Sequence, residues 1–524
     1  MKKSNFWQML IALVCLLQLQ SPAVLIANNG KFSNPVLFAD VPDVNVIRVG
    51  SDYYMVSTTM HLMPGAPIMR SKDLVNWEII SYVFDEIKDS PQYDLLEGNV
   101  YGKGQWASSL RYHKGTFYVL FATNSPQRTY IYKTNNPAGK WEKHAQFNRT
   151  FHDCSLFIDD DERAYLIFGS GQIRLRELTP DLKALKEGSE DKIIIDGPAA
   201  GYPNLFEGTH VFKHEGKYYF YIIWWPQGGI RTQVCFRSDN LMGEFESKVV
   251  LAYTLDRRGA GLAQGCIVDT PEGEWYGMLF QDRGAVGRVP MLMPCRWVDG
   301  WPMLGDEDGK VAKVMKSPLP LQKETPLVVS DEFNSTKLGI TWQWNHNPDN
   351  SKWSLAERKG HMRLRTARVV KDIFAAPNTL SQRTEGPQCS GQIKLDVSKM
   401  KDGDVAGLSV YCADPGMLSV IMEGKNKFLV MSDRNIEKER IPLKKNKVIL
   451  RVDADFRNGT DKANFYYSLD NKKWTKIGTE FQMVYNLRHF MGNRLAIYNF
   501  ATKNTGGWVD VDYFRYTREK EALD

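Results

Sequence analysis

LRYHKGTFYVLF, Leu110–Phe121, packs an apolar strand, a Lys-Gly turn and an aromatic-rich strand into one short stretch. Period-two alternation broken by Gly reads as a β-hairpin. The layout recurs as VIRVGSDYYMV from Val46, LFIDDDERAYLIF from Leu156, VFKHEGKYYFYI from Val211 and IVDTPEGEWYGML from Ile267. Its turns, at Gly50, Gly115, Asp161, Gly216 and Gly273, recur every roughly 45–65 residues, the scale of propeller blades with loop insertions. Each copy is followed by a further strand pair and often by a strand–turn–Trp element, as in RSKDLVNWEII (Arg70–Ile80) and YKTNNPAGKWEKH (Tyr132–His144). Helical periodicity is nearly absent. These units predict a five-bladed β-propeller in which the first strand of each blade lines a central channel.

Outward from the repeats, KSPLPLQKETPLVV carries three prolines and little periodicity, and marks a linker. Beyond it, short alternating strands such as GQIKLDV, AGLSVYC, NKVILRVDA and WVDVDYFRY are separated by Gly, Asn and Asp turns and predict a β-sandwich of jelly-roll type. The expected division is a leader at 1–27, a propeller at 28–322 and a sandwich at 328–524, an all-β protein throughout. Lys2 and Lys3, the apolar run Met9–Leu17 and the polar and small residues up to Ala27 have the three-part layout of a secretory signal peptide. The chain is therefore expected to be exported, to a periplasm first, with the cell surface or medium left open. Cys15 lies inside the apolar run rather than after a small-residue lipobox, so cleavage is expected rather than lipid anchoring. No later segment is long and apolar enough to suggest a membrane span.

The excess of 67 basic over 61 acidic residues is small and scattered, which argues against nucleic acid as partner. The other six cysteines, Cys154, Cys235, Cys266, Cys295, Cys389 and Cys412, are widely spaced, with neither a CxxC pair nor a His at ligand spacing. Thiol catalysis and a zinc site thus have no support, and no cofactor is expected, with a structural ion in the propeller channel left open. Buried free thiols fit runs such as VCF and GCIVD better than disulfides do.

Aligning the five repeats on their aromatic pair and stepping back to the channel end of each first strand gives Asp43, Ala107 or Ser108, Asp153, Glu207 and Gln264. Any one acid could be a strand-start cap. Three in register would converge on one shallow pocket, where like charges push each other's pKa values apart. One carboxyl can then stay protonated as an acid while another stays ionised as a base. That pairing serves glycoside cleavage, with about 6.5–9.5 Å between the two carboxyls where a water attacks with inversion.

The segments NPVLFADVPDVNVIRVGSDYYMVSTTM, HDCSLFIDDDERAYL, FEGTHVFKHEGKYYFY and GAVGRVPMLMPCRWVDGWP resemble glycoside hydrolase family 43. The resemblance spans nearly the whole mature chain and implies the propeller. One branch, rich in β-xylosidases and α-L-arabinofuranosidases, adds a sandwich, which WQWNHNPDNSKWSL (Trp342–Leu355) would open. It implies Asp43 as general base, Glu207 as general acid and Asp153 as the residue that keeps Glu207 protonated and aligned. It also implies that Arg288 reaches the sugar at the cleaved end. Departures are Val44 and Ser108, where proline is common, and Leu62 and Met63 in MHLMPGAP, where an aromatic often stands.

The expected activity is exo-acting and inverting, removing terminal α-L-arabinofuranose from a plant-type oligosaccharide or polysaccharide: arabinoxylan, arabinan or decorated xyloglucan. This sugar is favoured because Leu62 and Met63 are placed on the pocket wall. The alternatives are a β-D-xylosidase and a non-catalytic carbohydrate-binding propeller. Fructan-cleaving propellers fit less well, since they work by retention. Trp106 is a candidate stacking platform and His61 a candidate border of the pocket, each set against an ordinary core role. The same holds for His210, whereas Trp224 and Trp225 read as blade packing. The sandwich is expected to brace the propeller and to lend the rim a side chain that the sequence leaves unnamed.

Overall fold

The computed structural model describes residues 30–257 and 259–519, so the leader expectation at 1–27 lies outside the described residues. Each repeat forms one antiparallel four-stranded sheet with its strands in chain order. Blade 1 comprises Asn45–Val49, Asp52–Val56, Gly65–Ser71 and Glu78–Phe84. The first strands of blades 2 to 5 are Gln105–His113, Ser155–Ile158, Leu205–His214 and Leu262–Asp269. Each first strand packs against the first strand of the next blade, and blade 5 against blade 1, which closes the ring. The fold is a five-bladed propeller followed by a β-sandwich.

Local chemistry explains the hairpins. Lys114 and Gly115 have φ of 47° and 82°, and Glu215 and Gly216 have 47° and 79°, positive at both central positions as a two-residue turn matching strand twist requires. The Trp elements close the blades: the Trp77 indole donates to Leu74 O at 3.0 Å, and that of Trp141 reaches Ser81 of blade 1 at 3.2 Å. Lys31–Ser33 pairs antiparallel with Val314–Lys316 and joins the two ends of the propeller. All six described cysteines are buried and unpaired.

Two sheets form the sandwich. One has seven strands, with Gln388–Lys399 between Trp508–Arg518 and Lys447–Asp455. The other has eight, and its last strand is Leu62–Met63 of the propeller, paired through Met63↔Trp344 and Leu62↔Asn345. Leu62 and Met63 are therefore buried in the seam between the domains; neither lines the cavity on the propeller axis, and Leu62 borders a second small cavity with Thr58 and Phe490. Among the described residues no helix is long and apolar enough to cross a membrane.

Candidate active site

All five blades contribute to a small cavity on the propeller axis, with Asp43, Ser108, Asp153, Gly208 and Gln264 among its lining residues. These match or adjoin the positions picked by register. Their backbone turns side chains toward the axis: Asp43, Asp153 and Gln264 hold left-handed φ of 54°, 45° and 61°, which non-glycine residues adopt at a cost. The first strands of blades 2, 4 and 5 bulge at this point, between Gln105 and Ser108, Glu207 and His210, and Ala263 and Gly265. Bulges of this kind re-aim side chains at functional rims. Gly208 is required twice over: φ is 69°, and a Cβ would lie 2.9 Å from the Gln264 side chain.

Asp43 is 7% exposed and held from two sides. Thr58 Oγ1 donates to its Oδ2 at 2.6 Å, and Arg288 Nη1 donates to its Oδ1 at 2.8 Å. Arg288 is itself buried, its backbone N–H bonded to Asp40 Oδ1 at 2.8 Å. Its Nη2 donates to the carbonyl of Phe490 at 3.3 Å, and its guanidinium lies 4.4 Å from the Phe490 ring centre. Phe490 belongs to the sandwich, and Asp40 Oδ2 accepts the N–H of Gly492 from the same loop at 2.9 Å. The sandwich thus lends Phe490 to the site. Trp106 stands 5.5 Å from both Phe490 and His152, so the three rings form one wall.

One donor atom from each of His152, Asp153 and Glu207 lies within 4.8 Å of the others. His152 Nε2 is 3.0 Å from Glu207 Oε2 and 3.8 Å from Asp153 Oδ1. Burial pushes the Asp153 carboxyl up to about 7, against the pull of the His152 charge and with the help of Glu207 and Asp43. The negative charge of Asp153, against the cost of burial and with the Glu207 hydrogen bond, raises His152 to about 9. Burial acts upward on Glu207, but the hydrogen bond and charge of His152, the Ser170 hydroxyl and Arg231 outweigh it and hold the carboxyl below its usual range. Asp153 was expected to keep Glu207 protonated. In the unliganded site His152 stands between them instead: the Asp153 charge raises His152, and the His152 hydrogen bond and charge favour the ionised form of Glu207.

His152 was missed although it precedes Asp153 in HDCSLF; its signal was adjacency to a register position. His61, expected at the pocket border, is fully buried and away from the axis. It packs in the domain seam against Tyr101, His346 and His489, with ring centres 4.6, 5.1 and 5.3 Å away, because its loop feeds the strand shared with the sandwich. His210 lies below the acids, its Nδ1 3.2 Å from Asn45 Nδ2. Trp224 packs on Tyr202 and donates to Pro203 O, while Trp225 lies under Arg231 at 4.6 Å.

Residues 32–302 match Glycosyl hydrolases family 43, and residues 330–517 match the Beta xylosidase C-terminal Concanavalin A-like domain. The chain belongs to glycoside hydrolase family 43. It is 30% identical to a "Beta-xylosidase" of Formosa agariphila, over 93% of this chain and 90% of that one. It is 27% identical to a "Non-reducing end alpha-L-arabinofuranosidase" of Bacteroides ovatus, over 78% and 79%. Among solved structures, a bifunctional GH43-CE protein of Bacteroides eggerthii superposes with TM-score 0.88 at 43% identity over 93% of this chain, which spans 64% of that longer protein. The family 43 member described here is accordingly a glycosidase.

Proposed function

We propose that the protein is an exo-acting, inverting hydrolase that releases one terminal pentose from plant cell-wall oligosaccharides or polysaccharides. The observation that carries this reading is the meeting of three buried or half-buried carboxyls from blades 1, 3 and 4: Asp43 and Asp153 line the axial cavity, Glu207 clusters with Asp153 and His152, and Asp153 feels the charge of both other acids. Glu207 gives a proton to the departing glycosidic oxygen. Asp43, paired with Arg288, takes a proton from a water on the opposite face of the sugar as that water attacks the anomeric carbon. Asp153 adds charge that keeps a proton in the His152–Glu207 pair. Arg288 and Phe490 bound the sugar, with Trp106 beside them as a stacking face.

The choice of sugar changes. Arabinofuranose was favoured because Leu62 and Met63 were placed on the wall, and their burial at 2% and 0% leaves a sugar little of either to touch. The relative from Formosa agariphila, aligned over nearly the full length of both chains, carries the name of a β-xylosidase. We therefore rank β-D-xyloside first. α-L-Arabinofuranoside stands second, on the Bacteroides ovatus relative. The basic, apolar and polar layout of residues 1–27 supports export, with the periplasm as the destination we favour.

The test is hydrolysis of matched aryl β-D-xylosides and α-L-arabinofuranosides, with the anomer of the released sugar followed by NMR. Inverted xylose from wild type and none from Asp43→Asn is the expected result. Inverted arabinose would exchange the two sugars, retention would remove the mechanism, and binding without turnover would make the protein a sugar-binding propeller.

A further inference from the structure

The His152 side chain has no place in the two-carboxylate scheme, yet it makes the shortest contact to the residue read as the acid. Its Nε2 lies 3.0 Å from Glu207 Oε2, and it is held there from several sides. The His152 carbonyl accepts the N–H of Gly169 at 3.0 Å, Trp106 meets the ring edge-on at 62°, and Asp153 follows it in the chain. The charged groups facing the ring are Asp43, Asp153 and Glu207, with Arg231 acting on Glu207 from beyond. The ring is 31% exposed, so it keeps an edge toward solvent.

We propose that His152 is a positioning residue for Glu207: its Nε2 orients the carboxyl and supplies the proton that Glu207 passes to the leaving group. The inference rests on Glu207 being the acid. In the open site the pair is an imidazolium beside a carboxylate, both partly hydrated. A bound sugar displaces that water, and taking two charges out of water disfavours the ionic pair against the neutral one. The Nε2–H proton then moves across the hydrogen bond to Oε2, leaving neutral imidazole and a carboxylic acid. Glu207 gives this proton to the glycosidic oxygen as the bond to the anomeric carbon breaks. Asp43 removes a proton from the attacking water, so that hydrolysis balances. After release, His152 regains its proton from solvent at its exposed edge, and Asp43 returns its own.

The test compares wild type, His152→Phe and His152→Gln on 2,4-dinitrophenyl and phenyl glycosides of the pentose that the protein cleaves. Dinitrophenolate leaves without protonation, whereas phenolate needs it. For His152→Phe the expected loss in kcat/KM is about ten- to a hundredfold on the phenyl substrate and less than about threefold on the other. The alkaline limb of its phenyl profile should move toward acid, because the pair no longer stores a proton. His152→Gln, which keeps an N–H donor that does not titrate, should regain part of the kcat/KM on the phenyl substrate but not the limb. Equal losses on both leaving groups with an unmoved limb would make His152 a packing residue and overturn the proposal. An NMR titration of the His152 ring adds a readout independent of activity: its midpoint should fall in Glu207→Gln. An unchanged midpoint overturns the pairing even if the wild type cleaves no glycoside, a result that would by itself remove only the hydrolase reading.

Discussion

Phe490, on a sandwich loop, lays its ring 4.4 Å from the guanidinium of Arg288, the residue that also grips Asp43 at 2.8 Å. The accessory domain thereby reaches the propeller's axis at this arginine and at Trp106, whose ring lies 5.5 Å from the same phenylalanine. In a water-poor site a cation held over an aromatic ring is worth about 1–2 kcal/mol.

The first prediction concerns that contact. Phe490→Ala should lower kcat/KM by roughly five- to thirtyfold, the same energy read as a rate. Phe490→Tyr should lose little, since a ring remains. Steady-state kinetics on the better of the two aryl pentosides decides it. A kcat/KM for Phe490→Ala equal to wild type would mean that the ring only seals the domain seam.

The second concerns Arg111, whose guanidinium sits inside the ring of first strands. It donates to Asn45 Oδ1 at 3.2 Å, Leu110 O at 2.8 Å, Ser155 Oγ at 3.1 Å and Val211 O at 2.9 Å. Four blades thus meet on one side chain. None of these acceptors is a carboxylate, and burial pushes the guanidinium down to about 10. Arg111→Leu leaves several of these acceptors without a donor and should cost about 3 kcal/mol of stability. Arg111→Lys should cost less but still be clear, because a point charge cannot reproduce the planar fork. Urea unfolding followed by tryptophan fluorescence measures both, and no shift in midpoint for Arg111→Leu would show that the ring closes without the staple.

The propeller was legible because hairpin and blade periods are written locally, in turns such as Lys114-Gly115 and in the closing Trp77 and Trp141. Asp43, Asp153 and Glu207 were legible through the same register, since equivalent strand mouths in a ring must converge. His61 was misplaced because its fate depends on Leu62–Met63 pairing with Trp344 and Asn345 some 280 residues away, a long-range contact that no local pattern encodes. Phe490 was invisible for the same reason. It is an ordinary phenylalanine in a turn until the two domains dock. His152 lay in plain sight, but its importance comes from a hydrogen bond to another blade.

The third prediction follows from Asp153. Its folded pKa, raised to about 7, lies above the ordinary carboxylate value. The folded state therefore binds this proton more tightly than the unfolded chain, and its stabilising effect is lost as pH rises from about 4 through 7. Asp153→Asn removes that penalty. The variant should gain stability over wild type by on the order of 2 kcal/mol at pH 8 and by much less at pH 5, while its activity falls. Thermal melts at the two pH values check the sign; a larger gain at pH 5 would contradict the assignment.

The last prediction concerns the domain seam. His61, His346 and His489 are buried there with Tyr101, which stacks on His489 at 4.0 Å and 4°. His346 Nε2 accepts the N–H of Val100 at 3.0 Å, which requires an unprotonated nitrogen. Burial lowers all three imidazoles well below their ordinary value, helped at His61 by His489 and Arg494, at His346 by His61, and at His489 by His346 and Arg488. Groups with depressed folded pKa values contribute stability above their unfolded pKa, about 6.5, and lose it as pH falls below that. Because His489 adjoins Phe490, the first consequence of acid should be a displaced pocket wall, with propeller and sandwich parting before either unfolds. Lowering pH from 7 to 5 should therefore raise KM ahead of any loss of secondary structure. His489→Phe, which keeps the stack on Tyr101 without a titrating nitrogen, should shift that loss to lower pH. Intrinsic fluorescence, circular dichroism and kinetics on the same samples separate the steps. If His489→Phe has the same acid midpoint as wild type, the seam histidines are not what sets the acid limit.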